Sequence, residues 1–142
     1  MKNVKKMVLV GLITLSGLTS CDKVEDNSDN GTIITQNEIS GDWKISGFFD
    51  SGKDETYHFT GYLFSFENGI VKATSNTNSL SGTYVLQNNS SGTTEWIINF
   101  GNVEPWDELT EDWKVIEKTT TLIRLEHVSG GNGGTDLLTF TK

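Results

Sequence analysis

From residue 39 to the C-terminus, apolar and polar positions alternate at period two in short runs broken by Gly, Asn, Ser and Asp, the signature of strands with one buried and one wet face. Eight runs fit: 41–49, 57–67, 69–75, 81–88, 94–101, 112–118, 120–128 and 135–141. Tyr62, Phe64 and Phe66 fall on one face of their run, as do Trp96, Ile98 and Phe100. The other strands offer Trp43 and Ile45, Val71 and Ala73, Tyr84 and Leu86, Trp113 and Val115, Ile123 and Leu125, and Leu138 and Phe140. Asn68-Gly69 predicts a tight type I′ hairpin, because both residues tolerate positive φ. One short helix is expected at 105–109, where Pro105 is pre-set for a first helical position and Asp107 and Glu108 favour a helix N-terminus. The glycine-rich tract 129–134 has few side chains to pack and reads as a mobile loop. Eight such strands suit an antiparallel up-and-down barrel with no exposed edge, and a two-sheet β-sandwich is the alternative.

Ahead of this domain the pattern changes. Lys2, Lys5 and Lys6 precede an apolar run from Met7 to Leu18, too short for the roughly 20 residues a bilayer-spanning helix needs, which marks a secretory signal. Leu18-Thr19-Ser20-Cys21 resembles a bacterial lipobox. That resemblance implies cleavage after residue 20, lipidation of Cys21, and attachment to membrane through the lipid anchor. It implies an outer-membrane lipoprotein of the cell envelope, on the periplasmic face or the cell surface. The expected organisation is a signal peptide at 1–20, the lipidated cysteine with a flexible acidic tether at 21–38, and one β-domain at 39–142.

Composition narrows the task. Cys21 is the only cysteine, so the chain folds without disulfides. Without residues 1–20 the chain carries 8 basic and 19 acidic residues, a net charge of −11. That sign argues against nucleic acid and against docking on anionic lipid headgroups.

The β-domain resembles the lipocalin-like lipoproteins of Bacteroidetes-type bacteria. Gly41-Asp42-Trp43 matches their Gly-x-Trp opening, and Tyr62-x-Phe64-x-Phe66, Asn68-Gly69, Gly82-Thr83-Tyr84, Leu109-x-x-x-Trp113-x-Val115, Ile123-x-Leu125 and Leu138-x-Phe140-x-Lys142 follow in order. The chain lacks the Thr-Asp-Tyr motif of better-known lipocalins. Arg124 lies one strand earlier than the basic residue that packs on their opening tryptophan. The resemblance implies an eight-stranded barrel and a small hydrophobic ligand held inside it, with Trp43, Tyr62, Phe64, Tyr84, Trp96 and Trp113 as candidate lining residues. The alternative is a non-catalytic module with a solid core that binds a protein or glycan partner. Any pocket is expected to be apolar and near an open end, where Gly61 or Ser46 leave room.

The remaining candidates point to little chemistry. Trp106 lies outside the alternating sets and reads either as a contact residue or as half of a lid with Leu109, three residues on. Asp107, Glu108, Glu111 and Asp112 form an acidic stretch without the roughly six to eight converging oxygens that calcium needs. Asp26-x-Ser28-x-Asn30-Gly31 copies half of a calcium loop, but Asn37 stands where a bidentate Glu belongs. His58 and His127 are the only histidines, and neither has a second His, a Cys or a paired acid at ligand spacing nearby. No nucleophile elbow or phosphate loop is present, so neither an enzyme, a metal nor a cofactor is expected.

Overall fold

The computed structural model describes residues 33–130 and 133–142. The signal peptide, Cys21, the half calcium loop at 26–31 and two residues of the glycine-rich tract lie outside the described residues.

The described chain is all-β. Its strands are β1 (Lys44–Asp50), β2 (Lys53–Asp54), β3 (Leu63–Glu67), β4 (Ile70–Thr74), β5 (Ser79–Asn88), β6 (Thr94–Asn99), β7 (Asp112–Lys118), β8 (Leu122–Val128) and β9 (Thr135–Thr141). They form one antiparallel sheet in the order β2-β1-β9-β8-β7-β6-β5-β4-β3. From β3 to β9 every strand pairs with its successor, and β9 then pairs with β1. Ladder pairing does not close the sheet. Trp43, just ahead of β1, meets Phe64 of β3 in an isolated bridge, each amide donating to the other's carbonyl at 2.8 Å.

Period-two alternation builds the core as expected. Of the inward-facing set, all but Tyr62 and Leu86 are buried, and those two pack partly against the same cluster. Asn68 (φ 51°) and Gly69 (φ 79°) both adopt the left-handed conformation and join β3 to β4. At Gly82 the close approach of β5 and β6 excludes a side chain, since a Cβ there would lie 2.2 Å from the Asn99 carbonyl oxygen.

Local irregularity accounts for the departures. A short ninth strand, β2, pairs with the end of β1. The expected strand at 57–67 opens instead as a 3₁₀ turn, η1 (Thr56–Phe59), and Gly61 at φ +87° turns the chain before β3 begins. A bulge between Ile45 and Gly47 shifts the register of β1, so that Phe48 is buried and Phe49 faces outward. The short helix expected at 105–109 is a second 3₁₀ turn, η2 (Trp106–Leu109).

Packing also begins earlier than residue 39. Ile34 is buried and its amide donates to Thr94 Oγ1 at 2.8 Å. Gln36 donates to the Phe66 carbonyl at 2.8 Å and accepts from the Tyr84 hydroxyl. Residues 33–38, expected to be tether, belong to the domain because Ile34 gains more by burial than a free segment retains in entropy.

Candidate functional site

The six residues expected to line an interior cavity come together in one buried cluster. Trp43, Phe64, Trp96 and Trp113 are wholly buried, Tyr84 nearly so and Tyr62 partly. Their rings interlock with other core rings: Phe66 lies 4.5 Å from Trp96 and 5.4 Å from Tyr84, and Phe140 lies 5.5–5.6 Å from Phe64, Phe66 and Trp96. Such edge-on and tilted contacts add specific attraction to the buried area. The indole N–H groups of Trp43 and Trp113 donate to the Ile39 and Leu109 carbonyls, whereas Trp96 Nε1 is buried without a partner.

Trp106 is 8% exposed, and its ring packs on Phe59, Tyr62, Phe64 and Phe100 at 4.9–6.2 Å. Trp106 and Leu109 are buried together three residues apart, the spacing the lid reading expects. Thr110 Oγ1 fastens this turn by accepting from the Phe100 amide at 3.0 Å and donating toward the Trp106 carbonyl at 3.3 Å.

Beside this turn η1 meets the segment before η2. Glu55 stands at the N-terminal end of η1, its amide bonded to the Phe48 carbonyl at 2.9 Å and its carbonyl accepting from the His58 amide at 3.1 Å, and a 3₁₀ turn eclipses side chains three residues apart, which sets Glu55 and His58 on one face. The His58 ring is stacked on Tyr57 at 4.1 Å. Glu108, from η2, completes the group, so that one carboxylate oxygen from each Glu and a ring nitrogen of His58 lie within 4.8 Å of one another. The three border a cleft of about 420 Å³ with Lys53, Tyr57, Glu104 and Pro105.

Electrostatics separates the two carboxyls. The Lys53 ammonium donates to Glu55 Oε1 and holds the Glu55 carboxyl below the usual range, against the opposing pull of burial. Burial, and then the neighbouring Glu55 charge, push Glu108 above that range. Glu108 Oε2 is buried without a hydrogen-bond partner.

A second group, Glu111, Asp112 and His127, also brings its ligand atoms within 4.8 Å of one another. Asp112 Oδ1 lies 3.1 Å from His127 Nδ1 and Glu111 Oε2 lies 3.5 Å from Nε2, so the carboxylates address opposite ring nitrogens instead of one point. A third feature is an apolar cleft of about 340 Å³, lined by Lys44, Ile45, Phe59, Thr60, Gly61, Tyr62 and Leu63. It lies where Gly61 was expected to leave room.

Linear spacing hid both His-acid groups, because each draws on segments distant in sequence. The one local signal was Glu55-x-x-His58, which becomes a shared face only on a turn of three residues. Comparison with protein-family models, curated proteins and solved structures gave no match to this chain.

Proposed function

We propose that the chain is a lipid-anchored, non-catalytic binding protein of the bacterial cell envelope, a lipocalin-like barrel whose core is solid and whose contacts are made from its surface. The observation that carries this reading is the ring packing among Phe64, Phe66, Trp96 and Phe140, which leaves side chains where a carrier would hold cargo. Eight-stranded barrels are just wide enough for such filling. Barrel closure draws support from the Trp43–Phe64 bridge and from Lys142, whose ammonium sits 4.7 Å over the Trp43 ring. That pair supplies the basic residue on the opening tryptophan that Arg124 does not.

The contact surface is the region around η1, where Tyr57 (65% exposed), Leu63 and Val103 present apolar groups to solvent. An exposed tyrosine among polar neighbours is a common anchor for a protein or glycan partner. In-cell photocrosslinking from position 103 is expected to capture a partner, lost in Tyr57→Ala with the fold intact by circular dichroism. No adduct in the native host would sink this reading. Cys21→Ser is expected to abolish acyl labelling and leave an uncleaved precursor, and label retained in that variant would overturn the anchor.

The apolar cleft at Gly61 favours a second reading, a small apolar ligand held at the surface, since its volume is at the low end for ligand sites. Tryptophan fluorescence of residues 22–142 titrated with a fatty acid, a retinoid and a haem-like compound is expected to stay flat. A saturable change abolished by Leu63→Asp would instead establish this second reading.

A further inference from the structure

Glu55 and Glu108 are acids near the lid that packing does not explain, as is Asp107, whose Oδ1 is also buried without a hydrogen-bond partner. The Glu55 side chain is 6% exposed, though a carboxylate is costly to bury unless it is paired or coordinated. Its one ammonium partner, Lys53, reaches it with a side chain that is 72% exposed. Glu108 then brings a second carboxylate whose Oε2 is buried and unpartnered, so two acids share one cation. His58 closes the third side, its Nε2 3.8 Å from Glu55 Oε2.

Two carboxylate oxygens and an imidazole nitrogen converging on a cleft are the donor set of a first-row divalent ion. The ion would supply the positive charge this group lacks. Zinc bonds such ligands at about 2.0–2.2 Å, so they stand about 3.4 Å apart around a tetrahedral ion. Closing from within 4.8 Å takes about 1 Å of carboxylate rotation, and Lys53 leaves without disturbing the core. The cleft keeps an open side for a water as fourth ligand. The Glu111–Asp112–His127 group meets the same 4.8 Å spacing, but its carboxylates lie against opposite ring nitrogens of His127, and it serves as the internal control.

We propose that Glu55, His58 and Glu108 form a binding site for a single first-row divalent cation, with Lys53 occupying part of it when the ion is absent. The site does not depend on the partner reading above.

The test uses the full chain purified in mild detergent and stripped with a chelator, with zinc chloride as the probe. Calorimetric titration is expected to show one equivalent bound, with a thermal midpoint that rises to a plateau. His58→Ala and Glu108→Gln should each weaken binding by about tenfold or more, His127→Ala should leave it unchanged, and Lys53→Ala should tighten it. Cobalt(II) in place of zinc should give visible d–d bands that His58→Ala removes. Circular dichroism confirms that each variant is folded, and two independent ligand variants keep the test open if one is not. No saturable binding up to about 1 mM zinc, or binding lost in His127→Ala and kept in His58→Ala, would overturn the site.

Discussion

Trp43 and Phe64 exchange a pair of 2.8 Å backbone hydrogen bonds that link the segment ahead of β1 to β3, where the Gln36 side chain adds a bond to the Phe66 carbonyl. The Trp43 indole is wholly buried, donates to the Ile39 carbonyl and carries Lys142 on its face. Trp43→Ala is expected to cost about 3–5 kcal/mol in urea denaturation, and Lys142→Ala only about 0.5–1 kcal/mol. Equal costs would show that the ammonium, not the buried ring, joins the two ends.

Trp96 and Trp113 stand opposite each other in β6 and β7, yet only Trp113 has a partner for its N–H. Replacing Trp113 by Phe removes one of the two bonds to the Leu109 carbonyl, which keeps the Glu111 amide, while replacing Trp96 by Phe removes an orphan donor. Chemical denaturation should place Trp113→Phe about 1 kcal/mol or more below Trp96→Phe. The reverse order would mean that Trp96 Nε1 has a bound water.

Gly82 faces the Asn99 carbonyl so closely that any Cβ forces the β5–β6 ladder apart. Gly82→Ala should therefore destabilise by about 2–3 kcal/mol, seen as a lower thermal midpoint. Gly130→Ala, with open space around it, should have almost no effect.

Glu38 ties the entry segment to β7. Burial pushes its carboxyl up, but bonds from Lys118 (2.6 Å) and Thr35 (2.7 Å to the amide) prevail and leave it below its ordinary 4.5. A folded-state value below the unfolded one adds stability that is fully present above the unfolded value and disappears as pH falls through the folded one. The pair is partly exposed, so Lys118→Ala should cost under about 1 kcal/mol at pH 7, and the difference should vanish in acid and shrink in high salt. A chain beginning at residue 39 should lose considerably more, because it also lacks Ile34.

Glu108 carries the opposite sign. Its raised folded-state value means that ionisation disfavours the fold, so this term weakens stability as pH rises through that value. In chelator, Glu108→Gln should melt above the parent at pH 7, and the gap should close in acid. A lower midpoint at pH 7 would show that the ionised carboxylate has a stabilising partner.

Most of the core was legible because period two is a local property: each strand shows its buried face in its own residues, and Asn68-Gly69 announces its own turn. The bulge at β1 was not, since nothing near Ser46 distinguishes a register shift from regular alternation, and Phe48 is buried only because β9 pairs across that shift. Ile34 was missed for a related reason. A lone apolar residue in a polar segment has no period, and only Thr94 and the sheet surface give it a place.

Alternation, turn chemistry and the single cysteine thus determined an all-β antiparallel domain without disulfides, together with most of its inward-facing residues, because those features act between neighbours in the chain. Tertiary structure alone decided that Phe64, Phe66, Trp96 and Phe140 pack ring against ring, that Trp106 is buried, and that Glu55, His58 and Glu108 converge. Each of these depends on distances between segments tens of residues apart, which chain spacing does not encode and side-chain packing does.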